Sequence, residues 1–127
     1  MEKVYLSDYL YELLKERGFN SYTLSYLIKT DVKDKYEIKY SDTAEDFNST
    51  DNLISRPTIF EVLAWLNRNH IDIFVKPNYE DEEYCYISYI HSPNKTTLGG
   101  VSDYVSAFKE AISYVIKCDM YWGVRYY

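Results

Sequence analysis

The sequence predicts an α+β domain, a small and mainly antiparallel sheet packed on one face by amphipathic helices in the approximate order α-β-α-β-β-α. Three stretches predict it. In "PTIFEVLAWLNRNHIDIFVKP", residues 57–77, the apolar period switches from about 3.6 to 2. Residues 80–91, "EDEEYCYISYIH", alternate along a strand after an acidic turn, and "VSAFKEAISYVIK" carries one apolar stripe. Sheet face and helix stripe need each other to bury their apolar sides. At 127 residues and 15.2 kDa the chain fits one domain, 1–127, with enough length to bury a core.

The elements follow in chain order. Leu10, Leu13 and Leu14 recur at helical spacing, predicting a helix over about 8–17 with Ser7 as its cap and Gly18 as its left-handed stop. Residues 21–29, "SYTLSYLIK", fit a short helix or a strand equally. "KYEIKY" alternates, with Tyr36, Ile38 and Tyr40 on one face of a half-buried strand over 35–40 and Lys35, Glu37 and Lys39 on the other. Residues 41–55 are polar and rich in turn formers, predicting a long mobile loop.

Thr58 and Glu61 then form a capping box that opens a helix over 58–69. Its stripe is Ile59, Val62, Leu63 and Leu66, widened by Phe60 and Trp65. A strand over 71–76 follows, with Ile71, Ile73 and Val75 facing one way until Pro77 breaks it. Asn78–Glu83 is an acidic turn, and 84–91 is the partner strand. The next loop has room for a brief strand at Thr96–Leu98. Ser102 then caps a last helix in which Val105, Phe108, Ile112, Val115 and Ile116 share a face as far as about Cys118. The predicted sheet joins the strands near 35–40, 71–76 and 84–91, covered by the helices at 58–69 and 103–117. The aromatic tail 119–127 either packs on the sheet as an extra strand or stays exposed; its Tyr121, Trp122, Arg125, Tyr126 and Tyr127 are the candidate partner-binding residues.

The chemistry is mostly a matter of exclusion. A net charge of −6 argues against a protein that coats nucleic acid. The acids concentrate in 31–51, seven against three lysines, and at 80–83. Cys85 and His91 are six positions apart on one strand, roughly 20 Å, too far for a nucleophile and its base. The acids at 80–83 lack the EF-hand pattern, and the two cysteines lack CxxC spacing, so no metal or cofactor site is predicted. No phosphate loop, dinucleotide fingerprint or nucleophile elbow occurs. His70 reads as a helix C-terminal cation or a surface residue. Neither a secretory leader nor a membrane-length apolar window is apparent, which predicts a cytoplasmic protein with reduced thiols.

Together "LSDYLYELLKERGF", "RPTIFEVLAWLNRNHIDIFVKP", the tyrosine-rich return strand and "VSAFKEAISYVIK" resemble small uncharacterised proteins of Bacteroides-type bacteria and their phages and prophages. The shared features are a "PT" helix start, a Trp-Leu pair, an I-x-I-x-V strand and a closing amphipathic helix. The resemblance implies a mobile-element origin and a bacterial cytoplasm, and it brings no catalytic residues.

The leading expectation is a non-enzymatic accessory protein that binds a host or phage protein, through an acidic surface able to imitate nucleic acid. The first alternative is a nucleic-acid-binding module of α-β-β-β-α type, for which Lys109, Lys117 and Arg125 make a sparse basic face. The second is an enzyme whose site is assembled across loops. An exposed strand edge also permits a homodimer.

Overall fold

The computed structural model describes residues 4–33, 35–78, 83–90, 94–101 and 103–117. The α+β class holds, but its strands divide between two antiparallel sheets. α1 (Asp8–Glu16) precedes β1 (Thr23–Lys29) and β2 (Tyr36–Glu45); a 3-10 turn (Phe47–Ser49) leads to β3 (Leu53–Ser55). Then come α2 (Ile59–Arg68), β4 (Ile71–Asn78), β5 (Glu83–Ile90), β6 (Asn94–Val101) and α3 (Tyr104–Lys117). The first sheet has the order β2-β1-β3 and the second β4-β5-β6. The strand expected over 35–40 therefore belongs to a different sheet from the 71–90 hairpin.

Local chemistry explains most boundaries. Gly18 stops α1 at φ +91°, in open space, so the backbone conformation alone calls for glycine there. Ser7 occupies the N-cap position, but its side chain makes no capping bond. In α2 both arms of the capping box are present: Glu61 N–H donates to Thr58 Oγ1 (3.3 Å) and Thr58 N–H donates to Glu61 Oε1 (2.8 Å). Trp65 is buried, whereas Phe60 is 60 % exposed, because position 60 falls on the far side of the stripe that Ile59, Val62 and Leu66 define. His70 adopts φ 64° just past α2 and reverses the chain into β4.

Pro77 does not break β4; it pairs with Tyr84 inside an edge strand, where a missing N–H is tolerated. Glu83 opens β5 opposite Asn78 instead of belonging to the turn. β6 exceeds the short strand expected at 96–98, and its register slips between Leu98 and Val101, across the Gly99–Gly100 pair, as a bulge does. At the start of α3 the capping acceptor is Asp103, whose Oδ2 accepts from the N–H and hydroxyl of Ser106 (both 2.9 Å). Ser102, Cys118 and the whole tail lie outside the described residues.

Residues 41–55 are not one unbroken loop. β2 continues to Glu45, and Asn48 is fixed at both ends of its amide, its Nδ2 donating to the Phe19 carbonyl (2.9 Å) and its Oδ1 accepting from Ser55 N–H (2.8 Å). Lys15 Nζ donates to the carbonyls of Thr50 (2.9 Å) and Leu53 (2.7 Å), tying the turn to α1. Phe47 is buried and stacks on Tyr26 at 4.3 Å.

One apolar cluster joins the parts. Leu10, Tyr11 and Leu14 of α1, Leu27 and Ile54 of the first sheet, Ile59, Val62, Trp65 and Leu66 of α2, Ile71 of β4, and Ile112, Val115 and Ile116 of α3 are all buried in it. Ala107 and Ala111 let α3 approach Ile73 and Val75 closely. The helices are the shared packing partner of both sheets.

Candidate functional site

The site worth building lies along β2, where the pairing with β1 is irregular. From Lys29↔Tyr36 to Ser25↔Tyr40 the ladder runs regularly, and the next pair is Thr23↔Glu45, so Ser41 to Ala44 all face the single Leu24. Such an insertion bends its strand and pushes the extra residues out of the ladder. Leu24 loses its cross-strand cover and stands exposed next to Tyr22, itself 67 % exposed. An open cleft of about 520 Å³ results, lined by Tyr22, Thr43, Ala44, Glu45, Asp46 and Leu53 among others. Its charged lining residues are both acids. Asp46 is held in place because its Oδ1 accepts from Asn48 N–H (3.2 Å).

The regular part of β2 presents two unlike faces. Tyr36, Ile38 and Tyr40 pair with Lys29, Leu27 and Ser25 on the side that carries the helices. β2 is the edge strand and overhangs that layer, leaving Ile38 44 % and Tyr40 66 % exposed; the expected half-buried strand is an exposed one. At one end Glu12 of α1 meets Lys29 at 2.9 Å, and the Lys29 hydrogen bond holds its carboxyl below the usual glutamate range.

At the other end is Arg56, only 7 % exposed. Its Nη1 donates to Ser25 Oγ (3.3 Å) and to the Tyr40 hydroxyl (3.2 Å), and its guanidinium carbon lies 3.6 Å from the centre of the Tyr5 ring. Among the described residues no carboxylate pairs with it, and Nε has no hydrogen-bond partner. The Tyr5 face supplies the negative potential that a carboxylate would otherwise give. Arg56 precedes Pro57, which favours the extended backbone that delivers it here. Its evident work is to fix the Tyr40 ring on the edge strand.

A second cleft, about 260 Å³, separates the start of α1 from α3 and is lined by Ser7, Tyr9, Lys109, Glu110 and Ser113 among others. Tyr9 is exposed, and a hydrogen bond from Lys117 lowers the pKa of its phenol. Lys109 and Lys117 thus stand beside Glu110 and Tyr9, while Arg125 lies outside the described residues.

Residues singled out in the sequence fare unevenly. The backbone of Cys85 sits in β5 opposite Lys76, as a strand residue should, while His91 lies outside the described residues. Tyr121, Trp122, Arg125, Tyr126 and Tyr127 lie outside them as well. His70 is exposed at the end of α2. Among the described residues, no three of His, Cys, Asp and Glu come together as metal ligands would, and no helix is long and apolar enough to cross a membrane. Sequence reasoning passed over Tyr22, Glu45 and Arg56. The available signal was the apolar pair Leu53-Ile54 inside the polar stretch, which marks β3 and so makes β2 an edge. Comparison with protein-family models, curated proteins and solved structures finds no match to this chain.

Proposed function

We propose that this chain is a small non-enzymatic interaction protein, an accessory factor of phage or prophage type working in a bacterial cytoplasm, and that its acidic cleft beside β2 engages a basic segment of a partner protein. The observation that carries the reading is the four-residue excursion of β2, which opens a cleft whose charged lining is Glu45 and Asp46 beside the exposed Tyr22. An aromatic ring flanked by carboxylates suits a lysine or arginine side chain, the ring taking the stem and the acids the charge. Charge complementarity of this kind mainly sets encounter rate and partner choice. The mobile-element origin rests on the resemblance of the quoted motifs.

Affinity capture from a bacterial lysate, with wild type beside a Tyr22→Ala/Glu45→Lys variant, tests the reading. The expected outcome is a protein retained by wild type at low salt, released at moderate salt and not retained by the variant. Equal recovery by both baits, or none by either, counts against it.

A further inference from the structure

We propose that the outer edge of β2 pairs antiparallel with the same edge of a second copy of this chain, about a two-fold axis through Ile38. The edge is a strand rim with no neighbouring strand among the described residues. What identifies the occupant is the order of side chains in "YEIKY". An antiparallel pair centred on Ile38 sets Glu37 against the partner's Lys39 and Lys39 against the partner's Glu37 on one face. On the other it sets Tyr36 against the partner's Tyr40, and Ile38 against itself.

Shifting the register by two residues either way brings Lys39 onto Lys39 or Glu37 onto Glu37, and directly opposed like charges are destabilising. The central register is therefore the one in which both faces agree. It also joins residues of like parity, so backbone groups that point away from β1 meet groups that point away from the partner's β1.

The surroundings favour it. Ile38 and Tyr40 leave an apolar shelf on an edge strand, the kind of rim that invites pairing, and Arg56 already holds the Tyr40 hydroxyl. Glu37 and Lys39 are exposed and 4.0 Å apart, so two copies bring together four charges of alternating sign. The excursion at Ser41 to Ala44 ends the straight rim after Tyr40 and limits the pairing to the matched segment. The joined sheet has six strands. This pairing does not rest on the acidic cleft, and either proposal survives the loss of the other.

Sedimentation equilibrium of the full chain across the micromolar range should give a species of twice the 15.2 kDa chain mass. Glu37→Lys and Lys39→Glu should each weaken self-association at least about tenfold. The double variant, which exchanges the two charges, should restore it, and an equimolar mixture of the two single variants should form a heterodimer. A merely structural role, such as the pair that Glu37 and Lys39 make within one chain, would also be restored by the double variant but predicts no heterodimer from the mixed single variants. A monomer throughout, or dimers indifferent to the charge exchange, overturns the proposal. In the monomer case hydrogen exchange tells what holds the edge: protection of amides 36–40 that is independent of concentration points to the chain's own aromatic tail, and rapid exchange points to an open rim.

Discussion

Tyr11 shows how much one side chain can hold. Its ring is fully buried, and its hydroxyl accepts from Leu6 N–H (2.8 Å) and donates to the Pro57 carbonyl (2.8 Å), joining the segment before α1 to the segment before α2. Burial raises the pKa of the phenol, so it remains a donor at any ordinary pH. Tyr11→Phe keeps the packing but leaves two buried backbone groups unpaired. Urea denaturation should show a loss of roughly 2 to 3 kcal/mol; a loss below about 0.5 kcal/mol would mean that water replaces the hydroxyl. Nothing in the spacing of leucines around Tyr11 foretold this bridge, because its partners lie 5 and 46 positions away. Arg56 was illegible for the same reason: its neighbours come from the chain start, β1 and β2.

The elements that could be read were those whose cause is local. The capping box of α2, the glycine stop of α1 and the paired strands β4 and β5 each draw on residues within one turn or one strand, and each is found. Thr58→Ala removes one arm of the box and should cost about 1 kcal/mol in the same denaturation experiment, with the slope of the transition unchanged. Misreadings arose where a tertiary partner decides. The alternation of "KYEIKY" was correctly a strand, but burial depended on helices that stop short of the sheet edge. The polar stretch over 41–55 looked like a loop because the Asn48 amide nitrogen and the carbonyls of Thr50 and Leu53 find hydrogen-bond partners distant in sequence, at Phe19 and Lys15. The ambiguous 21–29 segment resolves as the central strand of its sheet, its Leu27 held between Ile38 and Ile54.

At the scale of the molecule, the two sheets make no common ladder among the described residues and are coupled through the helices they share. The buried cluster running from Leu27 and Ile54 through α1, α2 and α3 to Ile71 should make them unfold together. Native-state hydrogen exchange can check this. Leu27 and Ile87 each lie on the doubly paired middle strand of their sheet, and their amides should open with free energies equal within roughly 0.5 kcal/mol. A clear gap between them would show two units that melt separately. Sequence patterning reached the α+β class and the helix-hairpin-helix half of this arrangement. It did not reach the division into two sheets, because which strands neighbour one another is decided by contacts far apart along the chain.

The excursion of β2 also has a practical side. Ser41 to Ala44 contribute nothing to the ladder beyond their own ends, and Asp42, Thr43 and Ala44 point into solvent. Foreign peptide spliced between Asp42 and Thr43 would lengthen an existing detour without breaking a strand pair, so the fold should accept an epitope or a dye-bearing cysteine there. The molecule carries its own attachment point at the mouth of the cleft, where a reporter would sense whatever arrives.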